Sequence, residues 1–166
     1  MIQPISRRGL LALAAAACLP ATRAFAAEAH PVILTISSLA GGADLRLDRD
    51  GMEARGLSFL DVETPWYGGR RHYEGVGMKR LISDAGVTAT RDVHLHALND
   101  YSVDIPWSVI DRYDPLLALK RDGEYMAVRD KGPLFLLFPF DNHAEIRTPW
   151  FYSRCIWQVD TIAVSA

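Results

Sequence analysis

Cysteine is nearly absent. The 166-residue chain holds two, Cys18 and Cys155, and Cys18 falls in an N-terminal stretch with the character of a cleaved leader. Cys155 then stands alone, which excludes an intramolecular disulfide and any Cys-rich metal site. Long apolar runs are also missing, and none is long enough to remain as a membrane span. Positive charge is scarce. Of 18 Lys and Arg against 20 Asp and Glu, Arg7, Arg8 and Arg23 lie in the acid-free leader, which leaves 15 against 20 and a formal charge of −5. That balance disfavours a nucleic-acid partner, which needs a basic face. There is no phosphate loop, internal repeat, linker, catalytic Ser-His-Asp spacing or paired carboxylate. What remains is one domain's length with 49% hydrophobic residues, so stability must come from a packed core.

Residues 1–26 read as a cleaved signal peptide of the twin-arginine type. Ser6-Arg7-Arg8-Gly9-Leu10-Leu11 precedes a mild, Ala-rich apolar run, Pro20 breaks that run, and Ala24-Phe25-Ala26 offers small residues for cleavage. An ordinary secretion signal with two chance arginines is the other reading. Either one predicts export to the periplasm and a mature domain over 27–166.

Within that domain the periodicity alternates between strands and short helices, an α+β pattern with mixed β-sheets. Val32 to Ser37, Leu45 to Leu47 and Leu57 to Glu63 read as strands. Asp48 caps a short helical piece that ends at Gly56. Met78, Leu81 and Ile82 have helical spacing, with Gly86 at the helix end. Val93, Leu95 and Ala97 alternate with His94 and His96, and Val103 and Ile105 alternate with Ser102 and Asp104. Pro106 opens a helix over Trp107 to Arg112. Leu116 to Leu119 and Tyr125 to Val128 are predicted strands joined across Asp122-Gly123, a strong hairpin turn. Leu134 to Phe138 is the most apolar run and reads as a central, doubly buried strand. Cys155, Trp157, Val159 and Thr161 alternate with Ile156, Gln158, Asp160 and Ile162 in a closing strand, with Cys155 as a small core residue.

Chemistry-bearing residues cluster in a few places. Asn99, Asp100 and Tyr101 form a bend between two strands. The bend is either a turn and nothing more, or a carboxylate, an amide and a phenol set to hold the donor–acceptor edge of a flat, nitrogen-rich ring. Thr64-Pro65-Trp66-Tyr67-Gly68-Gly69 reads as a Gly-rich loop whose two aromatics are either a lid over the core or a stacking wall. Arg70-Arg71-His72 is a solvated face or an anion clamp, and Arg129 and Lys131 flank Asp130 at a strand mouth that suits a phosphate or carboxylate. His94 and His96 lie two apart on one strand face, with no third metal ligand evident.

Several segments together resemble the sulfite-oxidase-type molybdopterin-binding domain. Glu74-Gly75-Val76-Gly77-Met78-Lys79-Arg80-Leu81-Ile82 is similar to its "W-x-G-V-P-L-x-x-L-L" segment, and Leu98 to Pro106 to its "DGY-x-x-x-(I/L)-P" segment. Leu117 to Met126 resembles its "L-L-A-x-x-x-(N/D)-G-x-x-L" hairpin. Lys131-Gly132-Pro133-Leu134 resembles the run into its apolar strand, and Ser153 to Gln158 its closing segment. The likeness spans most of residues 30–165. It implies a sulfite-oxidase-like fold and a pterin-binding cleft.

By that resemblance Thr64, Trp66, Tyr67, Asn99, Asp100 and Tyr101 line the cleft. Asp100 or Asn99 reads the edge of a pterin, Trp66 covers its ring, and Arg129, Lys131 and Arg154 face a polar or anionic tail. The enzymes of the family hold molybdenum through a cysteine thiolate just before the first segment. Here that stretch is Val62-Glu63-Thr64-Pro65-Trp66, and Thr64 is a poor ligand for a soft metal. The chain is similar to a small, exported, single-domain branch that keeps the pterin site as a binding pocket and acts with membrane-bound enzymes of cyclic di-GMP signalling. The expectation is therefore a periplasmic, non-catalytic pterin-binding sensor subunit. A molybdopterin-dependent oxidoreductase and a ligand-free interaction module are the alternatives.

Overall fold

The structure is a computed structural model that describes residues 30–38, 41, 44–88 and 91–165. The leader over residues 1–26 lies outside the described residues. In chain order the elements are β1 (Leu34–Ser38), β2 (Leu45–Leu47), α1 (Arg49–Glu53), β3 (Ser58–Thr64), β4 (Tyr67–Gly77), α2 (Met78–Asp84), β5 (Asp92–Ala97) and β6 (Ser102–Pro106). Then come α3 (Trp107–Tyr113), β7 (Leu116–Arg121), β8 (Glu124–Tyr125), β9 (Phe135–Leu137), α4 (Pro149–Tyr152) and β10 (Val159–Val164). Short 3₁₀ turns occupy Val128–Asp130 and Ala144–Ile146. The architecture is α+β. No helix among the described residues is long and apolar enough to cross a membrane.

Two sheets carry the fold. One has the order β2-β1-β10-β5-β6. Its β1 and β10 run parallel, so the first and last strands are locked side by side, and its other pairs are antiparallel. The second has the order β3-β4-β7-β8, with β9 paired to β7. Alternation decides which face of the first sheet is inside. Val93, Leu95 and Ala97 are fully buried with Leu34, Ile36 and Ile105, while His94 and His96 stay on the wetter face. In the second sheet Leu116 to Leu119 and Phe135 to Leu137 are buried at every position, because both faces of these strands are covered.

Local chemistry sets the short elements. The Asp48 side chain accepts a hydrogen bond from the Gly51 amide at 2.7 Å, which caps α1. The hairpin between β7 and β8 turns on Asp122 and Gly123, both at positive φ (53° and 85°), as the twist of paired strands favours. At Gly75 β4 comes so close to β7 that a Cβ would collide with the Leu117 carbonyl and Ala118 Cα.

Three expectations need correction. Tyr67, Gly68 and Gly69 do not form a loop but begin β4, and only Pro65 and Trp66 turn the chain. The register passes from Glu63↔Arg70 to Thr64↔Tyr67, so the two glycines are absorbed as a bulge. β8 stops at Tyr125, and Val128 enters a 3₁₀ turn. β10 begins only at Val159, and Asp160 is a bulge between the pairs Val159↔Ala97 and Thr161↔His96. One extra residue reverses side-chain parity, so Val159 and Ile162 share the core face. The apolar strand is doubly buried, as predicted, but β9 pairs with only one strand, β7. Its other side is closed by the 156–159 segment, through Leu136 N to Ile156 O at 2.9 Å and Val159 N to Leu134 O at 3.1 Å.

Candidate functional site

The best-formed cavity, of about 460 Å³, opens where the β5–β6 turn meets the chain between α4 and β10. That size is ordinary for a small-molecule site. Three elements supply its walls. The Pro65-Trp66 turn between β3 and β4 contributes Trp66, and the β5–β6 turn contributes Asn99 and Tyr101. The run after α4 contributes Tyr152 and Ser153, then Cys155, Ile156 and Trp157.

Trp66 is the hub of the aromatic wall. Its ring meets Phe135, Tyr152 and Trp157 edge-on, with centroids 5.6, 6.2 and 6.1 Å apart. Such contacts hold large rings in fixed orientations and add about 0.5–1.5 kcal/mol per pair beyond simple burial. Lys131 lies against the same wall, with its Nζ 4.1 Å from the Trp157 ring centroid.

The polar groups come from the β5–β6 turn. Asn99 Oδ1 accepts from the Tyr101 amide at 3.2 Å, which shapes the bend. The Tyr101 hydroxyl donates to the Ser153 carbonyl at 3.0 Å and ties the turn to the chain after α4. Asp100 sits between them at φ 64°, and its side chain is 98% exposed. Its carboxylate lies 3.8 Å from the His96 ring.

Of the predicted site residues, then, Trp66, Asn99 and Tyr101 share the cavity wall. Thr64, Tyr67, Asp100, Arg129, Lys131 and Arg154 do not line it. Thr64 is buried, at 5% exposure, next to the buried Tyr73 phenol, and no hydrogen bond of good geometry closes on either hydroxyl. Tyr67 belongs to a separate brace. Its hydroxyl donates to Asp130 at 3.0 Å, and Arg121 binds Asp130 with two nitrogens while its guanidinium covers the Tyr67 ring. Burial, then the bond to Asp130, pushes the Tyr67 phenol up to about 12. Arg154 stacks on Trp150 at 3.7 Å and donates to the Trp150 carbonyl. Arg129 is exposed. In the basic run Arg70-Arg71-His72 each side chain faces a carboxylate, of Asp141, Asp122 and Asp61 in turn, and Asp141 is shared with Arg147. His94 and His96 pair with Asp104 and Asp160, and no metal-binding cluster exists among the described residues.

Cys155 is the residue whose place the sequence reading only half anticipated. It is buried, at 3% exposure, as expected of a core residue, yet it also borders the cavity. Burial pushes its thiol up to about 12. Tyr152, Ser153, Ile156 and Trp157 were not singled out as site residues. The available signal was the density of aromatic residues from Trp150 to Trp157, far above that of an ordinary connection.

No protein-family model matches the chain, and no curated protein matches it. Among solved structures it is similar to the sulfane dehydrogenase SoxCD from Paracoccus pantotrophus, with a TM-score of 0.55 and 18% identity, over 80% of this chain and 37% of that one. The chain has a sulfite-oxidase-like fold. It spans little more than a third of the length of that neighbour. At this identity the likeness extends to the fold and not to the chemistry.

Proposed function

We propose that this chain is an exported, non-catalytic pterin-binding protein that acts in the periplasm as the sensor partner of a membrane signalling enzyme. The observation that carries the reading is the aromatic-walled cavity, with Trp66 and Trp157 for a flat ring and the Asn99 amide at its rim. A pterin has a flat face and an amide-like edge, which suit those groups. The twin-arginine pattern at Arg7 and Arg8 supports export. The half-exposed Val32, Leu98 and Val128, beside Arg46 and Arg49 around a second hollow, supply an apolar surface of the kind protein partners use.

The residues present do not fit a molybdenum centre. Thr64, in the stretch where the resemblance puts the ligating cysteine, presents a hydroxyl and lies off the cavity wall. Cys155 does border the cavity, but it lies in the segment before β10, outside the stretch that the resemblance gives to the ligand, and it is buried at 3% exposure. No redox step is therefore assigned to this site.

Binding is tested by calorimetry or tryptophan quenching over a panel of pterins. Asn99→Ala and Trp66→Ala should each weaken binding about tenfold or more, the equivalent of about 1.4 kcal/mol or more. Asp100→Ala should leave it unchanged, because its side chain faces water. Failure of every pterin to bind folded wild-type protein would reject the reading.

A further inference from the structure

The second hollow, of about 430 Å³, lies on the wetter face of the first sheet and shares no residue with the cavity. Strand register builds its floor. Thr35 of β1 stands between Arg46 of β2 and Thr161 of β10, and facing residues on paired strands share one face of a sheet. Val32, Leu98 and Val128 stand around that floor. They are three of the seven large apolar or aromatic side chains exposed among the described residues. Exposed apolar surface is therefore concentrated here, as it is where another molecule docks.

The charge of the hollow is one-sided. Arg46 is exposed and has no hydrogen bond or ion pair among the described residues. Arg49 lies over the Tyr125 ring, 4.6 Å from its centroid, and pairs with no carboxylate among them. Asp160 is the acid of the wall, and its carboxylate faces the His96 ring at 3.1 Å.

The hollow is also tied to the ligand cavity. Gln158 stands at φ 60°, its carbonyl accepts from the Leu98 amide at 3.0 Å, and its side-chain amide donates to the Val128 carbonyl at 2.8 Å. Trp157, next to Gln158, and Asn99, next to Leu98, line the cavity. An occupant of the hollow sits beside the ligand along two segments of chain.

From this arrangement we infer that the second hollow docks an extended segment of a protein partner in which a carboxylate side chain is flanked by aliphatic ones. That the partner is the membrane enzyme rests on the sensor reading, whereas the chemistry of the surface does not. The Arg46 guanidinium can hold a carboxylate through two parallel bonds, and the Thr35 and Thr161 hydroxyls beside it are further donors. Val32, Leu98 and Val128 come from three separate segments, which alternate side chains of an extended chain can reach together. A basic segment meets Arg46 and Arg49 as like charges. A purely apolar one strips water from Arg46 and returns no counter-charge.

The test is a selection from a displayed library of random short peptides, made against the mature protein without added pterin. Enriched peptides should carry Asp or Glu next to Leu, Ile or Val. A synthetic copy of the tightest should bind wild-type protein at least about tenfold better than it binds Arg46→Glu or Leu98→Ser. Both positions are exposed, so both variants should keep the wild-type melting temperature. Replacing the peptide's carboxylates by Lys should abolish binding to wild type and restore it to Arg46→Glu. No enrichment, enriched peptides without carboxylates, or binding indifferent to both substitutions would overturn the inference. So would self-association of the protein in sedimentation that Arg46→Glu abolishes, because a second copy would then be the occupant. The pterin panel is a separate measurement on the same sample. A failed selection beside pterin binding would strike the docking surface alone, and a successful one with no pterin bound would uphold the surface and reject the pterin reading.

Discussion

The Tyr101 hydroxyl donates to the Ser153 carbonyl at 3.0 Å, across a separation of 52 residues in the chain. This bond joins the β5–β6 turn to the chain after α4, and both sides of it line the same cavity. Tyr101→Phe removes the bond and keeps the ring. Tyr101 is half-exposed, so the expected cost is at the low end of the usual range, about 0.5–1 kcal/mol in a urea titration. Amide exchange at residues 98–101 should rise in the same variant. Unchanged exchange there would show that the Asn99 bend alone holds the turn.

Leu136 is fully buried in β9, with Leu117 of β7 opposite it and its amide bonded to the Ile156 carbonyl. Leu136→Ala leaves a void in a wall shared by the second sheet and the 156–159 segment. The expected loss is about 2–5 kcal/mol, read by chemical denaturation. A loss below about 0.5 kcal/mol, the usual limit for surface positions, would contradict the placement of β9 in the core.

Two charged braces predict how stability responds to acid. The Arg121 hydrogen bonds hold the Asp130 carboxyl below its ordinary 3.8, and the Lys120 hydrogen bond, then that of Tyr125, holds Glu53 below its ordinary 4.5. A carboxyl depressed in the folded state contributes stability that is complete above its unfolded pKa and is lost as pH falls through the folded value. The melting temperature should therefore decline on acidification below about pH 5. Glu53→Gln and Asp130→Asn should each flatten that decline. Both carboxylates are partly exposed, so each change will be small and will shrink in high salt. A profile unaltered by both substitutions would show that other groups control the acid limb.

Cys155 provides a chemical probe of the cavity wall. Its thiol is raised to about 12 by burial, so at pH near 8 almost none of it is the reactive thiolate. Alkylation of the native protein should be slow and should become fast and stoichiometric in denaturant. Prompt labelling of the native protein would show that the wall opens readily, and would reopen the question of a thiolate in this site.

Some of this was legible in the residues one stretch at a time. Asp48 ahead of α1, the Asp122-Gly123 turn, the alternation of Val93, Leu95 and Ala97, and Gly86 after α2 are short-range signals, and each acts within a few residues of where it is read. The ordered motifs extended that reading to the fold as a whole, because their sequence along the chain is itself long-range information. Where the local reading failed, one extra residue was responsible. The bulge at Asp160 reversed the parity of β10, and the bulge at Gly68-Gly69 turned an expected loop into strand.

The composition of the cavity could be settled only in three dimensions. Asn99, Asp100 and Tyr101 are consecutive and equally polar, and nothing in their order says that the first and third line the cavity while the second faces water. That follows from the positive φ at Asp100 and the reach of the Tyr101 phenol to Ser153. The same holds for charge. Lys131 and Arg154 read alike in the sequence as anion ligands, and only folding sets Lys131 over the Trp157 ring and Arg154 over the Trp150 ring. The sequence by itself determined which segments become strands, turns and short helices, because those preferences are local. Which side chains face one another across Trp66 was decided by the tertiary structure, because sheet pairing and packing bring together residues that are distant along the chain.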